Sequence, residues 1–318
     1  MEVIYLQALR LVSVLERKFF IKRKNKYNRH TMMNAQNKNN IEIIKADGTK
    51  QIFSEKKLLR SLCRSGASIQ TAKDITDQIK TAIIQGTHTN DIYRQAFRLL
   101  RCGETRHIAQ RYNLRRAIME LGPEGFLFEK FIGAIFRALG YQEVQTGVII
   151  DGWCVQHEVD VSARKDDKHT LIECKFHNSP GDKTDLKVAL YVKQRFLDIE
   201  KKHQHDNPTD SFYYDGWLIT NTKLTTQAIK YSNCAGLKVV GWGYPKTGNL
   251  EDLILQTKIQ PITMLTTISA RHKQQLLQKN IVLCRDVLNN QKVLREIGIR
   301  NEKINVVLQE IQNIHNLP

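Results

Sequence analysis

The sequence predicts an α/β protein, α+β overall, whose central part is a mixed sheet flanked by helices. Three observations carry that prediction. Two apolar runs, Glu158–Val161 and Thr170–Phe176, stand on either side of a polar turn at Arg164–Lys168 and read as an antiparallel hairpin. Trp217–Thr220, a helix around Thr225–Tyr231 and Leu237–Trp242 alternate strand, helix, strand, the pattern of a parallel crossover. Upstream, Phe128, Phe131, Ile132, Ile135, Phe136 and Leu139 repeat at helical spacing, an apolar stripe that must face a core.

In chain order, residues 1–40 are a basic N-terminal extension, expected to be disordered, with nine Lys or Arg against two Glu. Its apolar start, Val3–Leu15, is interrupted by Gln7, Arg10 and Ser13 and is too short to span a bilayer. The charges that follow lie on the wrong side for a signal peptide. An amphipathic helix and a later true start at Met32 or Met33 are the alternatives for this stretch.

Residues 41–121 read as one small domain. Ile41–Lys45 alternates like a strand, Asp47-Gly48 is a two-residue hairpin signal, and Gln51–Phe53 returns. Ser54 is the expected cap of a helix over Glu55–Ser65, with Leu58, Leu59 and Leu62 as its apolar face and Gly66 as its stop. Further helices are predicted over Ala72–Ile84, Asp91–Arg101 and Glu104–Leu121.

Residues 122–260 hold the sheet. The helix over Pro123–Tyr141 has readable ends, with Pro123 suited to its first turn and Gly140 to a left-handed stop. On the hairpin, alternation puts Glu173 and Lys175 on one face and Cys174 on the other. A carboxylate from each strand, Asp160 and Glu173, would then converge beside Lys175, a cradle for a divalent metal and an attacking water. Glu-x-Lys occurs four times in the chain, and only the copy at Glu173 lies in an apolar strand. Glu129 stands just off the helical stripe, where it can lean toward the hairpin. A helix over Thr184–Lys202 offers Lys187, Tyr191 and Gln194 as one stripe for a DNA backbone, or a plain solvated face. Residues 261–318 read as short helices separated by tight turns, an accessory domain.

Two stretches resemble known families. Lys45-Ala46-Asp47-Gly48, Phe53–Leu58, Thr89-Asn90-Asp91-Ile92 and Tyr112 with Arg115-Arg116 resemble the ATP-cone, a nucleotide-binding regulatory domain, over about Ile41–Leu121. The resemblance implies that Lys45 and Lys57 meet the phosphates of ATP or dATP, that Thr89 lies near the nucleotide, and that Arg116, or Arg115, adds a phosphate contact. Ala46 stands where that family commonly has a basic residue. Helix, Gly-Tyr, Asp160, Glu173-Cys174-Lys175 and Leu218–Thr222 resemble the restriction-endonuclease-like core, Mrr-type, of the PD-(D/E)xK nucleases, over about Gly122–Gly248. That resemblance implies Mg²⁺ held by Asp160, Glu173 and the backbone carbonyl of Cys174, with Lys175 orienting water and Glu129 as the helical acid. Val159 stands where the family usually has Pro or Gly, and whether Glu158 joins the site stays open. The tail is similar to a helix-hairpin-helix unit at Gly298 alone.

Composition fits these implications. Lys and Arg number 49 against 32 Asp and Glu, and beyond the extension the balance is still 40 against 30, an electrostatic footprint for phosphate backbones. Six scattered cysteines without any Cys-x-x-Cys exclude a zinc ribbon and a disulfide framework, so a reducing cytoplasm is expected. Together the expectations are a cytoplasmic, nucleotide-regulated, Mg²⁺-dependent DNA endonuclease, a homo-oligomer with no membrane partner. The alternative is a catalytically silent DNA-binding, nucleotide-sensing regulator.

Overall fold

The computed structural model describes residues 41–45, 48–101, 108–109, 112–207 and 213–315. The N-terminal extension with Met32 and Met33, Ala46 and Asp47 of the expected turn, and Glu104 at the expected helix start lie outside them.

Caps and turns shape the first unit. β1 (Glu42–Ile44) and β2 (Lys50–Ile52) pair antiparallel, with Gly48 in the left-handed region between them, at φ 77°. Ser54 caps α1 (Glu55–Arg64) through the Lys57 N–H, and Gly66 ends it at φ 96°. α2 (Ile69–Ala82) starts three residues earlier than its apolar pattern predicts, because the Ser68 hydroxyl accepts the Thr71 N–H at 3.0 Å. A short strand that the sequence does not foretell, β3 (Thr87–His88), pairs parallel with β1 and leads into α3 (Thr89–Leu100). Leu58, Leu62, Ile75, Ile79, Ala96 and Leu100 bury around Ile43, in a core that runs to Ala109.

The second unit begins with α4 (Leu114–Met119), whose Leu114, Ala117 and Ile118 are buried in the following core rather than the preceding one. α5 (Phe126–Ala138) starts after Pro123 instead of containing it. A Cβ on Gly122 would lie 2.6 Å from the Phe176 ring, so the chain packs against that ring before it can turn into a helix. Gly140 ends α5 as expected, at φ 85°. β4 (Gln142–Asp151), β5 (Gln156–Lys165) and β6 (Lys168–Lys175) then form an antiparallel meander. A short strand, β7 (Lys183–Thr184), leads to the long α6 (Leu186–Asp206), capped by Asp185. β8 (Tyr213–Thr220), β9 (Lys223–Leu224), α7 (Thr226–Cys234), β10 (Lys238–Val240) and α8 (Leu250–Thr257) follow.

The main sheet has the order β10-β8-β6-β5-β4 and is mixed, because β6, β8 and β10 run parallel. β7 and β9 form a separate parallel pair. One face of the sheet packs on α5 through Ala163, Ile172 and Ile219, and the other on α6 and α7 through Leu171, Leu218 and Val239. This is a mixed sheet flanked by helices, and the protein is α+β.

The C-terminal region is helical: α9 (Ala270–Gln278), α10 (Cys284–Asn289), α11 (Lys292–Glu296) and α12 (Asn301–His315). Its Leu276, Val287, Leu294, Val307 and Ile311 share one hydrophobic cluster with α4 and α5. The Thr263 hydroxyl donates to the Ala117 carbonyl at 2.6 Å, and Lys273 reaches Glu120 at 3.3 Å. Gly298 turns the chain between α11 and α12 at φ 84°. Among the described residues no helix is long and apolar enough to cross a membrane.

Candidate active site

β5 and β6 stop pairing before either strand ends. Their last partners are Val161 and Ile172, although β5 has begun five residues earlier and β6 runs on to Lys175. Val159 joins the cluster under α6 while Val161 joins the one under α5, so β5 twists at Asp160, where the ladder opens. The freed Cys174 N–H donates to the Asp160 carboxylate at 2.7 Å, so a side chain takes over from the ladder.

Glu173 is the next residue of that opening. Its carboxylate meets the Arg195 guanidinium of α6 at 2.6 Å, and the two side chains are only 15% and 10% exposed. Despite this partner, burial and the Asp160 charge push the Glu173 carboxyl up to about 7. Burial raises Asp160 as well, against the pull of the Cys174 N–H and Arg195. Glu129, on α5, is pushed up to about 7 by burial first and then by Asp160, Glu158 and Glu173. Four carboxylates therefore feel one another, with Arg195 and the exposed Lys175 as the nearby cations.

The sequence-predicted quartet of Asp160, Glu173, Lys175 and Glu129 thus falls in one region, and Glu158 acts on it electrostatically. Among the described residues, no three His, Cys, Asp or Glu side chains already stand together as a metal cage. What the residues do offer is oxygen from Asp160 and Glu173, with the Cys174 carbonyl beside them. That donor set suits Mg²⁺, which binds one or two carboxylates and keeps several waters.

Arg195 is the residue that sequence reasoning missed. Its signal was present: it lies among the inward positions Val192, Phe196 and Ile199 of α6, where a charge must have a reason. The stripe Lys187, Tyr191 and Gln194 is exposed, although the Tyr191 ring supports the Arg195 guanidinium at 5.2 Å. Asn221 is fully buried and clasps His177 on both sides, accepting its N–H at 2.8 Å and donating to its carbonyl at 2.9 Å. It fixes the segment that leaves Lys175.

The residues expected to hold nucleotide are spread around the meeting of the two units. Parallel register (Ile43 with Thr87, Ile44 with His88) leaves Lys45 and Thr89 one step past the last pair, at the same end of the small sheet. Lys57 and Arg115 line a cavity of about 330 Å³ with Arg60, Arg64, Tyr93 and Tyr112 on the first unit's side and Trp242 and Glu251 on the second's. Arg116 does not line it; it is exposed and pairs with Glu120 one turn on, at 3.0 Å. Arg115, its neighbour, is the arginine in the cavity.

Comparison with known proteins places the chain. A family profile described as AF1548-like, C-terminal, matches residues 261–315. An uncharacterized protein of Archaeoglobus fulgidus is 40% identical over 173 residues, 54% of this chain and 93% of the relative. The chain belongs to the AF1548-like family. The crystal structure of a protein of unknown function, AF1548, is 36% identical, covering 60% of this chain and 98% of that one, with a TM-score of 0.48. Can2 from Sulfobacillus thermosulfidooxidans, solved in complex with cyclic tetra-adenylate, is 13% identical over 64% of this chain and 54% of its own, with a TM-score of 0.30. That likeness is too slight to bear on function.

Proposed function

We propose that the protein is a nucleotide-regulated, Mg²⁺-dependent DNA endonuclease of the PD-(D/E)xK type, working in the cytoplasm behind an ATP-cone. The observation that carries this reading is the opening of the β5–β6 ladder, with Asp160 fixed by the Cys174 N–H and Glu173 beside it. A purely structural hairpin has no need to end its ladder early around two half-buried carboxylates. In this reading Asp160, Glu173 and the Cys174 carbonyl hold Mg²⁺. The ion, when bound, lowers the pKa of a water and offsets charge building on the phosphate.

The chain's own groups do the rest. Lys175, exposed at the end of β6, orients the water through its ammonium. Glu129, whose carboxyl gives up its proton at about 7, takes in its ionised form the proton that the water releases. Arg195 balances Glu173, and its Nε, buried without a hydrogen-bond partner, has a donor left for a phosphate oxygen.

The alternative, a catalytically silent DNA-binding and nucleotide-sensing regulator, has one observation in its favour: Glu173 already has a cationic partner in Arg195, at 2.6 Å. Purified protein incubated with supercoiled plasmid, Mg²⁺ and ATP or dATP separates the two. Nicking or linearisation that Glu173→Ala abolishes supports the nuclease. Shifted but intact plasmid under every condition supports the regulator.

A further inference from the structure

The pair β7–β9 sets Lys183 directly opposite Lys223. Like charges facing each other across two strands are unfavourable, and two residues of pairing give little to offset them. More positive charge gathers there. Partial burial lowers the Lys223 pKa first, although the side chain as a whole stays exposed. The charges of Arg115, Lys183, Lys45 and Lys57 then lower it further, in that order. Three of these cations belong to the second unit and two to the first.

Arg115 is held ready at this place. Its Nη2 donates to the Pro180 carbonyl at 3.0 Å, its guanidinium lies 5.9 Å from the Trp242 ring centre, and its buried Nε has no partner. With Lys57 it also lines the cavity between the two units, so the cation cluster and the cavity are continuous. Aromatic walls beside clustered cations suit a ligand with a flat ring and phosphates.

We propose that Lys183, Lys223 and Arg115 of the second unit, with Lys45 and Lys57 of the first, form one phosphate-binding site that bridges the two units. It rests on the nucleotide-regulated reading for its role, and on the cation geometry for its existence. The ligand has closely spaced phosphates, those of a nucleoside triphosphate or of a DNA backbone. Lys183 and Lys223 lie on the segments leaving β6 and β8, and Asn221 ties those segments together just past Lys175. Occupancy would therefore fasten the first unit to the chain that emerges from the candidate active site.

The test measures binding by the full-length protein, not cleavage. Calorimetry with ATP, inorganic tripolyphosphate and a short DNA duplex is run on the parent and on Lys183→Gln/Lys223→Gln. A charge-matched control, Lys292→Gln/Lys303→Gln, changes exposed C-terminal positions. The first double variant should weaken binding by about tenfold or more relative to the control. Its ligand-free melting temperature should not fall, because the facing charges are gone. Lys183→Gln alone, at an exposed position, should move binding in the same direction. Loss of ATP and tripolyphosphate together assigns the site to nucleotide phosphates; loss of duplex alone assigns it to the DNA backbone. Equal affinities in the two double variants, or no binding of any probe to the parent, overturns the site. Glu173→Ala should bind ATP and tripolyphosphate like the parent, so a nuclease reading that fails leaves this result standing on its own.

Discussion

Helix α6 presents one acid and one base to the sheet, three residues apart, and the two regions they serve behave oppositely. At Asp198 the carboxylate accepts the His157 ring nitrogen at 2.9 Å and the Cys154 N–H at 3.1 Å, with the Val155 N–H at 3.4 Å. His157 is the largest of several donors that hold Asp198 down, at about 2. At Glu173, Arg195 offers a shorter contact, yet the carboxyl is pushed up to about 7. Both side chains are similarly enclosed, 12% and 15% exposed. At Glu173 burial is the largest push and the Asp160 charge the next, whereas at Asp198 the donors outweigh burial. A satisfied carboxylate anchors the β4–β5 turn, and a crowded one keeps an appetite for positive charge that Arg195 does not meet.

The largest expected effect divides these two regions by activity. Asp160→Ala and Glu173→Ala should each lower plasmid cleavage by roughly a thousandfold, since bound metal supplies several kcal/mol to such a reaction. DNA affinity, which comes mainly from Lys and Arg on phosphates, should change little. Asp198→Asn should leave the rate within a few-fold of the parent. A gel assay in which Asp198→Asn is dead and Glu173→Ala active would invert the comparison.

Next comes stability. Arg195→Ala leaves Glu173 enclosed without its cation, and breaking a buried pair costs about 3–5 kcal/mol when the remaining charge cannot escape. Glu173 can escape by keeping its proton, so the loss should be largest at pH 8 and smaller at pH 5. Urea denaturation at the two pH values measures the difference. An Arg195→Ala loss equal at pH 5 and pH 8 would mean that Glu173 does not take up a proton.

The two carboxylates also predict opposite pH windows. Asp198 binds its proton less readily in the folded state than the ordinary value of 3.8, so its contribution is present above about pH 4 and lost as pH falls toward 2. Glu173 binds its proton more readily than the ordinary 4.5, so stability is greatest at low pH and is lost as pH rises from about 4.5 to 7. Melting curves should show Asp198→Asn flattening the acid side and Glu173→Gln flattening the fall between pH 4.5 and 7. A Glu173→Gln curve parallel to the parent across that range would contradict the crowding at Asp160.

This contrast also marks what the sequence made legible. The hairpin, the crossover and the cap at Ser54 could be read, because each is local: alternation, a turn, or a side chain three residues from its partner. Asp160, Glu173 and Lys175 could be read because their strands could. β4 was equally local, with Val144, Thr146, Val148 and Ile150 alternating, yet Ile149 amid them blurs the pattern by being exposed and apolar. Arg195 and Asp198 were not legible as partners, since Glu173 and His157 lie 22 and 41 residues away. The Lys183–Lys223 register was hidden for the same reason. Long-range pairing is decided by how the sheet folds back, and one chain's spacing does not encode it.

The smallest effect tests the appetite for charge directly. A ligand that binds only the native state stabilises it by about 1.4 kcal/mol at ten times its Kd. Ca²⁺, which accepts oxygen ligands, should raise the melting temperature of the parent at pH 8 by an amount of that order, without cleavage. At pH 5 the gain should shrink, because protons and the ion compete for Glu173 and Asp160. Glu173→Gln should reduce it, since one carboxylate of the pair is gone. Asp198→Asn should keep it in full, because that carboxylate is already satisfied by three donors and has little to offer a cation. Equal Ca²⁺ shifts in Glu173→Gln and the parent would put the ion elsewhere on the protein, and the crowding of Asp160 and Glu173 would then be relieved by protons alone.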